Sequence, residues 1–139
     1  MRVILAAGLV ALAACASPGP RVEGQPYAGR LDISAAGEDV ADIEARFSQA
    51  LTARYGERPG AEAVKRDLQK QGFLCRDVPP VEARTDYLVA ACELPKPRGL
   101  CSDLFVVSLR FVGNSRALDH TRVRPDGSFE RTCVKPAAS

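Results

Sequence analysis

The sequence predicts an α+β domain in which two helices precede an antiparallel β-meander and pack on one face of its sheet. Three observations carry that expectation: apolar residues recur at steps of three and four between Val40 and Leu68, they alternate with polar ones from Leu88 onward, and clusters of Pro and Gly punctuate the alternating stretches. The 139 residues, 46% hydrophobic and 26% charged, suit one domain and leave no room for a second core. With 19 Lys and Arg against 17 Asp and Glu, the net charge of +2 excludes a strongly cationic nucleic-acid binder and an acidic disordered tail.

Met1-Arg2 supplies one positive charge, Val3 to Leu12 is an apolar run, and Ala13-Ala14-Cys15 follows at once. The run is too short to cross a bilayer core, which takes about 20 apolar residues, and has the layout of an export signal. Leu12-Ala13-Ala14-Cys15 resembles the lipobox of bacterial lipoprotein signals. The resemblance implies a cut before Cys15, a diacylglycerol on its sulfur and usually an acyl chain such as palmitate on the new amine. Ala16 resembles the sorting residue of lipoproteins passed to the outer membrane. The expected organisation is a signal peptide at 1–14, a lipidated Cys15 with a flexible tether at 15–37, and a single domain at 38–139, anchored to the outer membrane and facing the periplasm. Acyl chains at about 0.8 kcal/mol per buried CH2 anchor such a protein without spanning the bilayer. The rival reading is an ordinary secretory signal cut at Ala14 or Ala16; the small residues, the Cys and the length of the run agree better with the lipobox.

Pro18, Pro20 and Pro26, with Gly19, Gly24, Gly29 and Gly37 and no apolar period, mark the tether. The alternative is that Tyr27, Leu31 and Ile33 dock as an edge strand. The first helix follows, with Val40, Ile43, Phe47, Leu51 and Tyr55 at steps of three and four, Glu38 and Asp39 in its first turn, an Asp42 to Arg46 pair on the other side, and Gly56 as its stop. Pro59-Gly60 opens the second helix, Ala61, Val64 and Leu68 are its buried stripe, and Gly72 before Phe73 has the spacing of a Schellman cap.

After Phe73 the period becomes two. Phe73 to Asp77 is a short segment closed by Pro79-Pro80, and Thr85 to Leu94 is a strand with Leu88, Ala90, Cys92 and Leu94 on one face. Pro95 to Gly99 reads as a turn, and Leu104 to Val112 as a strand with Phe105, Val107, Leu109 and Phe111 inward. A three-residue loop at Gly113-Asn114-Ser115 sets Phe105 against Val123 and Phe111 against Ala117, with Arg110, His120, Arg122 and Arg124 on the opposite face. Pro125-Asp126-Gly127 reads as a second turn, leading to a last strand with Phe129 and Cys133.

Beyond Cys15, four cysteines in an exported chain predict two disulfides. The meander so drawn favours Cys92 with Cys101 and Cys75 with Cys133; Cys75 with Cys92 and Cys101 with Cys133 would require the last segment to leave the meander. The order of elements resembles that of the small helix-helix-meander lipoproteins typified by the smallest outer-membrane accessory subunits of the barrel-assembly machinery. The likeness lies in topology, the cysteines depart from it, and no residues carry over.

Little in the chain suggests chemistry. His120 is the only histidine and has no Ser or Cys nucleophile near it in sequence, so it reads as a surface strand residue, and Asp119 reads as the ion-pair partner of Arg131. A Gly-rich phosphate loop, a zinc-ligand spacing and a stacking platform are all missing from the sequence, so neither a metal, a cofactor nor nucleic acid is expected. Arg110, His120, Arg122 and Arg124 form the one notable cluster, suited to an anion or an acidic partner, with Asp103, Asp126 and Glu130 placed to balance it. Leu104, Val106, Val112 and Leu118 would leave the same face partly apolar, as at a protein contact. The expected function is that of a lipid-anchored envelope protein acting by binding a partner, without catalysis; the alternative is a small-ligand or lipid-binding module with an apolar cavity between helices and sheet.

Overall fold

The computed structural model describes residues 24–79, 86–112 and 122–135. Helices α1 (Val40–Tyr55) and α2 (Ala61–Lys70) precede strands β1 (Leu74–Asp77), β2 (Asp86–Arg98), β3 (Cys101–Val112) and β4 (Arg124–Cys133). The strands form one antiparallel sheet in the order β1-β2-β3-β4. The fold is therefore α+β, as the change of period predicts. Helix α1 lies over β4 and α2 over β1 and β2, both on the same sheet face.

Both helices begin and end where their local chemistry directs. The Asp39 carboxylate accepts the Ala41 N–H at 2.9 Å as N-cap, and Gly56, at φ 73°, closes α1 with its N–H on the Thr52 carbonyl. At the end of α2, Phe73 N–H donates to Leu68 O and Gly72 N–H to Gln69 O, each at 3.0 Å, with Gly72 at φ 98°. These are the two bonds of a Schellman motif. Arg46 turns back to the Ala36 carbonyl rather than to Asp42.

The core lies between the layers. Ile43, Phe47, Leu51 and Tyr55 of α1 meet Val64 and Leu68 of α2, with Phe105, Val107, Leu109 and Phe129 beneath them. Phe47 stacks parallel to Phe73 and edge-on to Phe105.

The sheet corrects several expectations. Pro95 to Gly99 is not the turn: β2 runs on to Arg98, opposite Cys101, and Gly99-Leu100 makes the connection, with Gly99 at φ 57°. Pro95 and Pro97 are tolerated because β1 pairs only with 90–93, so the far edge of β2 is open where they sit and needs no N–H. Leu88 does not share a face with Ala90, because a bulge between them pairs Leu88 with Arg110 and Ala90 with Leu109.

Pro125-Asp126-Gly127 is likewise inside a strand. It pairs with Leu109, Ser108 and Val107, so Phe105 faces Phe129 and not Val123. Edge position excuses Pro125, and Gly127 serves close approach: a Cβ there would lie 2.7 Å from Leu51 Cδ1 and 2.9 Å from Phe47 Cδ1. The expected facing of Phe111 and Ala117 falls on residues 113–121, which lie outside the described ones.

The register also fixes the cysteines. The disulfides are Cys75–Cys92 and Cys101–Cys133, not Cys92 with Cys101 and Cys75 with Cys133. Each bridge joins directly opposite residues of neighbouring strands. With β4 a single strand antiparallel to β3, Cys133 stays in the meander and returns to Cys101, while the longer β2 carries Cys92 well away from Cys101.

The described part of the predicted tether, 24–37, contains neither helix nor strand but does not stand away from the domain. Leu31 is only 6% exposed within the core, and its N–H donates to Gln71 Oε1 at 3.2 Å. Tyr27 meets Tyr55 edge-on at 4.9 Å between ring centroids. These residues form a strap across the helices, reaching the start of α1 as a docked segment rather than an edge strand.

Candidate functional site

Two surfaces concentrate polar groups, one on the helices and one on the sheet. On the helical side the organising residue is Asp67, 6% exposed on the inward side of α2 beside Leu68. Arg54 grips it twice, Nε to Oδ2 at 2.6 Å and Nη2 to Oδ1 at 2.8 Å, and the Tyr55 hydroxyl donates to Oδ2 at 2.6 Å. The same guanidinium donates to the Ala28 and Gly29 carbonyls, each at 3.0 Å, and so holds the strap. Burial opposes ionisation of Asp67, yet the hydrogen bonds from Arg54 and Tyr55 hold its carboxyl below the usual range. Burial and the bond to Asp67 push the Tyr55 phenol well above its ordinary value.

Arg131 repeats the arrangement at the other end of the strap. It pairs with Asp103, 1% exposed, at 2.7 and 3.0 Å, and donates to the Gly37 and Ala35 carbonyls at 3.1 and 3.3 Å. The hydrogen bond from Arg131 holds the Asp103 carboxyl below the usual range against the opposing effect of burial. Asp103 therefore does not balance the outer face, and it is a partner of Arg131; Asp119, the partner expected for Arg131, lies outside the described residues. Asp103 was expected on the outer face and Asp67 had no expected role, although Asp67 falls one turn after Val64 and Asp103 two residues before Phe105, each a charge on an apolar row.

The sheet's other face carries the predicted cluster in part. Arg110 and Arg124 are cross-strand partners, and Asp126 lies between them, 3.0 Å from Arg124 Nε and 3.9 Å from Arg110 Nε. Arg122 departs from them: it bridges to Gly60, donates to the Arg58 carbonyl at 3.4 Å, and so belongs to the α1–α2 turn. His120 and Cys15 lie outside the described residues. Val106 faces Glu93 and Ser128, Leu104 faces Pro95 and Glu130, and Leu74, 71% exposed, completes the Val106 row. Arg76 reaches Glu93 at 3.3 Å along one margin. Apolar side chains thus run between two charged margins. Among the described residues no group of three His, Cys, Asp or Glu is placed to hold a metal ion.

Fold and surfaces together define a two-layer α+β domain whose sheet is stapled by two disulfides and whose helices cover one side. No protein-family model matches the chain, and neither a curated protein nor a solved structure matches it.

Proposed function

We propose that the protein is a lipid-anchored periplasmic lipoprotein that acts as a binding or accessory protein of the envelope, docking another protein on the outer face of its sheet without catalysis. The observation that carries the reading is that face itself. Neither helix lies over it, and Leu104, Val106 and Leu88 sit there between the Arg76–Glu93 pair and the Arg110, Asp126 and Arg124 group. Partly exposed apolar residues with a charged margin are the composition of a contact surface. The lipobox-like leader and the two disulfides agree with an exported, oxidised protein. A lipid-holding module needs space between its layers, whereas at Gly127 the helix leaves no room for even a methyl group.

Affinity purification of the lipidated protein from its own envelope in mild detergent tests the reading. The expected result is a stoichiometric partner with the wild-type chain that is lost with Val106→Asp and weakened by Arg110→Glu with Arg124→Glu. A partner retained by all of these variants would sink the sheet-face assignment. Intact mass without reductant should show the acyl groups on Cys15 and four hydrogens fewer than the reduced chain, two for each bridge.

A further inference from the structure

We infer that the helical face around Gly24 lies against the anionic phospholipid surface to which the chain is tethered. The inference rests on the proposed anchoring through Cys15, and three observations carry it.

The first is the short length of chain between Cys15 and Gly24. Gly24 is nine residues on from Cys15, a stretch that spans at most about 30 Å when fully extended. Gly24 therefore stays close to the bilayer, and it lies on α2: it adjoins Ala63, Arg66 and Lys70, which share the helix side turned away from Val64 and Leu68.

The second is charge. Two adjoining clefts, of about 280 and 400 Å³, open on either side of Gly24 and Tyr27. Arg54, Arg58, Arg66 and Lys70 line them, and among the described residues the carboxylate in these linings is Asp67, already engaged by Arg54. With Asp67 matched by Arg54, the lining keeps an excess of cations, whereas the whole chain carries only +2. On the neighbouring flank, Lys65 takes up Glu62 and Asp77 at 2.9 and 2.7 Å, which removes the nearest acidic groups of α2 and β1 from competition.

The third is range. Attraction to anionic lipid decays within a Debye length of about 8–10 Å, so it acts only on a surface already held near the membrane. The short connection to Cys15 supplies that proximity for this face and not for the opposite one, where the outer face of the sheet lies.

The test uses the mature chain from Cys15 onward. Its four other cysteines are engaged in disulfides, so the Cys15 thiol alone couples to a maleimide phospholipid. The tethered protein on vesicles of phosphatidylcholine, with or without phosphatidylglycerol, is treated with a water-soluble amine reagent. Labelling of Lys70 should slow at least about tenfold on the anionic vesicles, since several basic side chains near the surface each contribute about a fivefold change. Lys135 should keep its rate, high salt should abolish the difference, and Arg58→Gln with Arg66→Gln should restore Lys70 labelling while the circular dichroism stays unchanged. Equal labelling of Lys70 on both vesicles, or protection that survives in the double variant, overturns the inference. Chemical coupling makes the outcome independent of natural acylation, which is read separately from the mass of the envelope protein.

Discussion

Asp67 shows how much one side chain determines here. Its carboxylate gathers α1, α2 and, through Arg54, the strap, so Asp67→Asn leaves the Arg54 guanidinium largely buried and short of its counterion. The expected cost is about 3–5 kcal/mol, read from the denaturation midpoint. Asp67 and Asp103 both have carboxyls held below the ordinary range, so the stability they contribute is complete above the unfolded-state value of about 3.9 and is lost as pH falls through their folded values. Thermal unfolding should therefore be nearly constant from neutral pH down to about pH 5 and fall steeply below about pH 4, less steeply in Asp67→Asn. Gly127→Ala should destabilise by about 1–3 kcal/mol, because the new methyl meets Leu51 and Phe47 below contact distance; adding Leu51→Val should recover part of the loss. At this scale the sequence shows which charges fall on apolar rows. Their partners it conceals, since Arg54 reaches Asp67 only through the angle between two helices.

Elements were legible where their signals are local. Asp39, Gly56 and the Gly72-Phe73 pair mark helix ends through bonds made within a few residues; the two C-terminal stops stand where the spacing places them, and Asp39 caps the first turn instead of lying in it. Gly72→Ala should cost about 1–2 kcal/mol, measured by chemical denaturation, since a Cβ at φ 98° is strained. Strands were legible in face, save at the Leu88 bulge, but not in extent. Pro95, Pro97 and Pro125-Asp126-Gly127 are turn formers by local preference, and only the open edges of β2 and β4 and the pressure of α1 on Gly127 make them strand residues. The two misplaced turns changed the neighbours of Cys92 and Cys133, and with them both disulfides. Protease mapping without reductant should recover peptides joining Cys75 to Cys92 and Cys101 to Cys133. Loss of the Cys101–Cys133 bridge, separated by 32 residues, should cost about 4 kcal/mol on the chain-entropy model, seen as a lower unfolding temperature in Cys101→Ala with Cys133→Ala.

The molecule as a whole has two unlike sides. Helix order, the switch to alternation and the single core were all readable from 139 residues, because layer architecture follows from period alone. The strap was not, since a segment rich in Gly and Pro looks like a linker whether or not its one buried leucine finds a socket. On the proposed orientation, lipid lies on the helical side and the partner on the sheet side, so any relative movement of membrane and partner is a tension borne by this domain. From Gly24 onward that tension meets the Tyr27 ring on Tyr55, then the Arg54 bonds to Ala28 and Gly29, then Leu31 in its socket, then the Arg131 bonds to Ala35 and Gly37, one after another. Contacts loaded in series peel at low force, whereas the strand pairs β1–β2 and β3–β4 are covalently closed by their disulfides. The strap is thus a length of chain, about 40 Å when fully paid out, that yields before the fold does and lets the reach of the anchor grow under load.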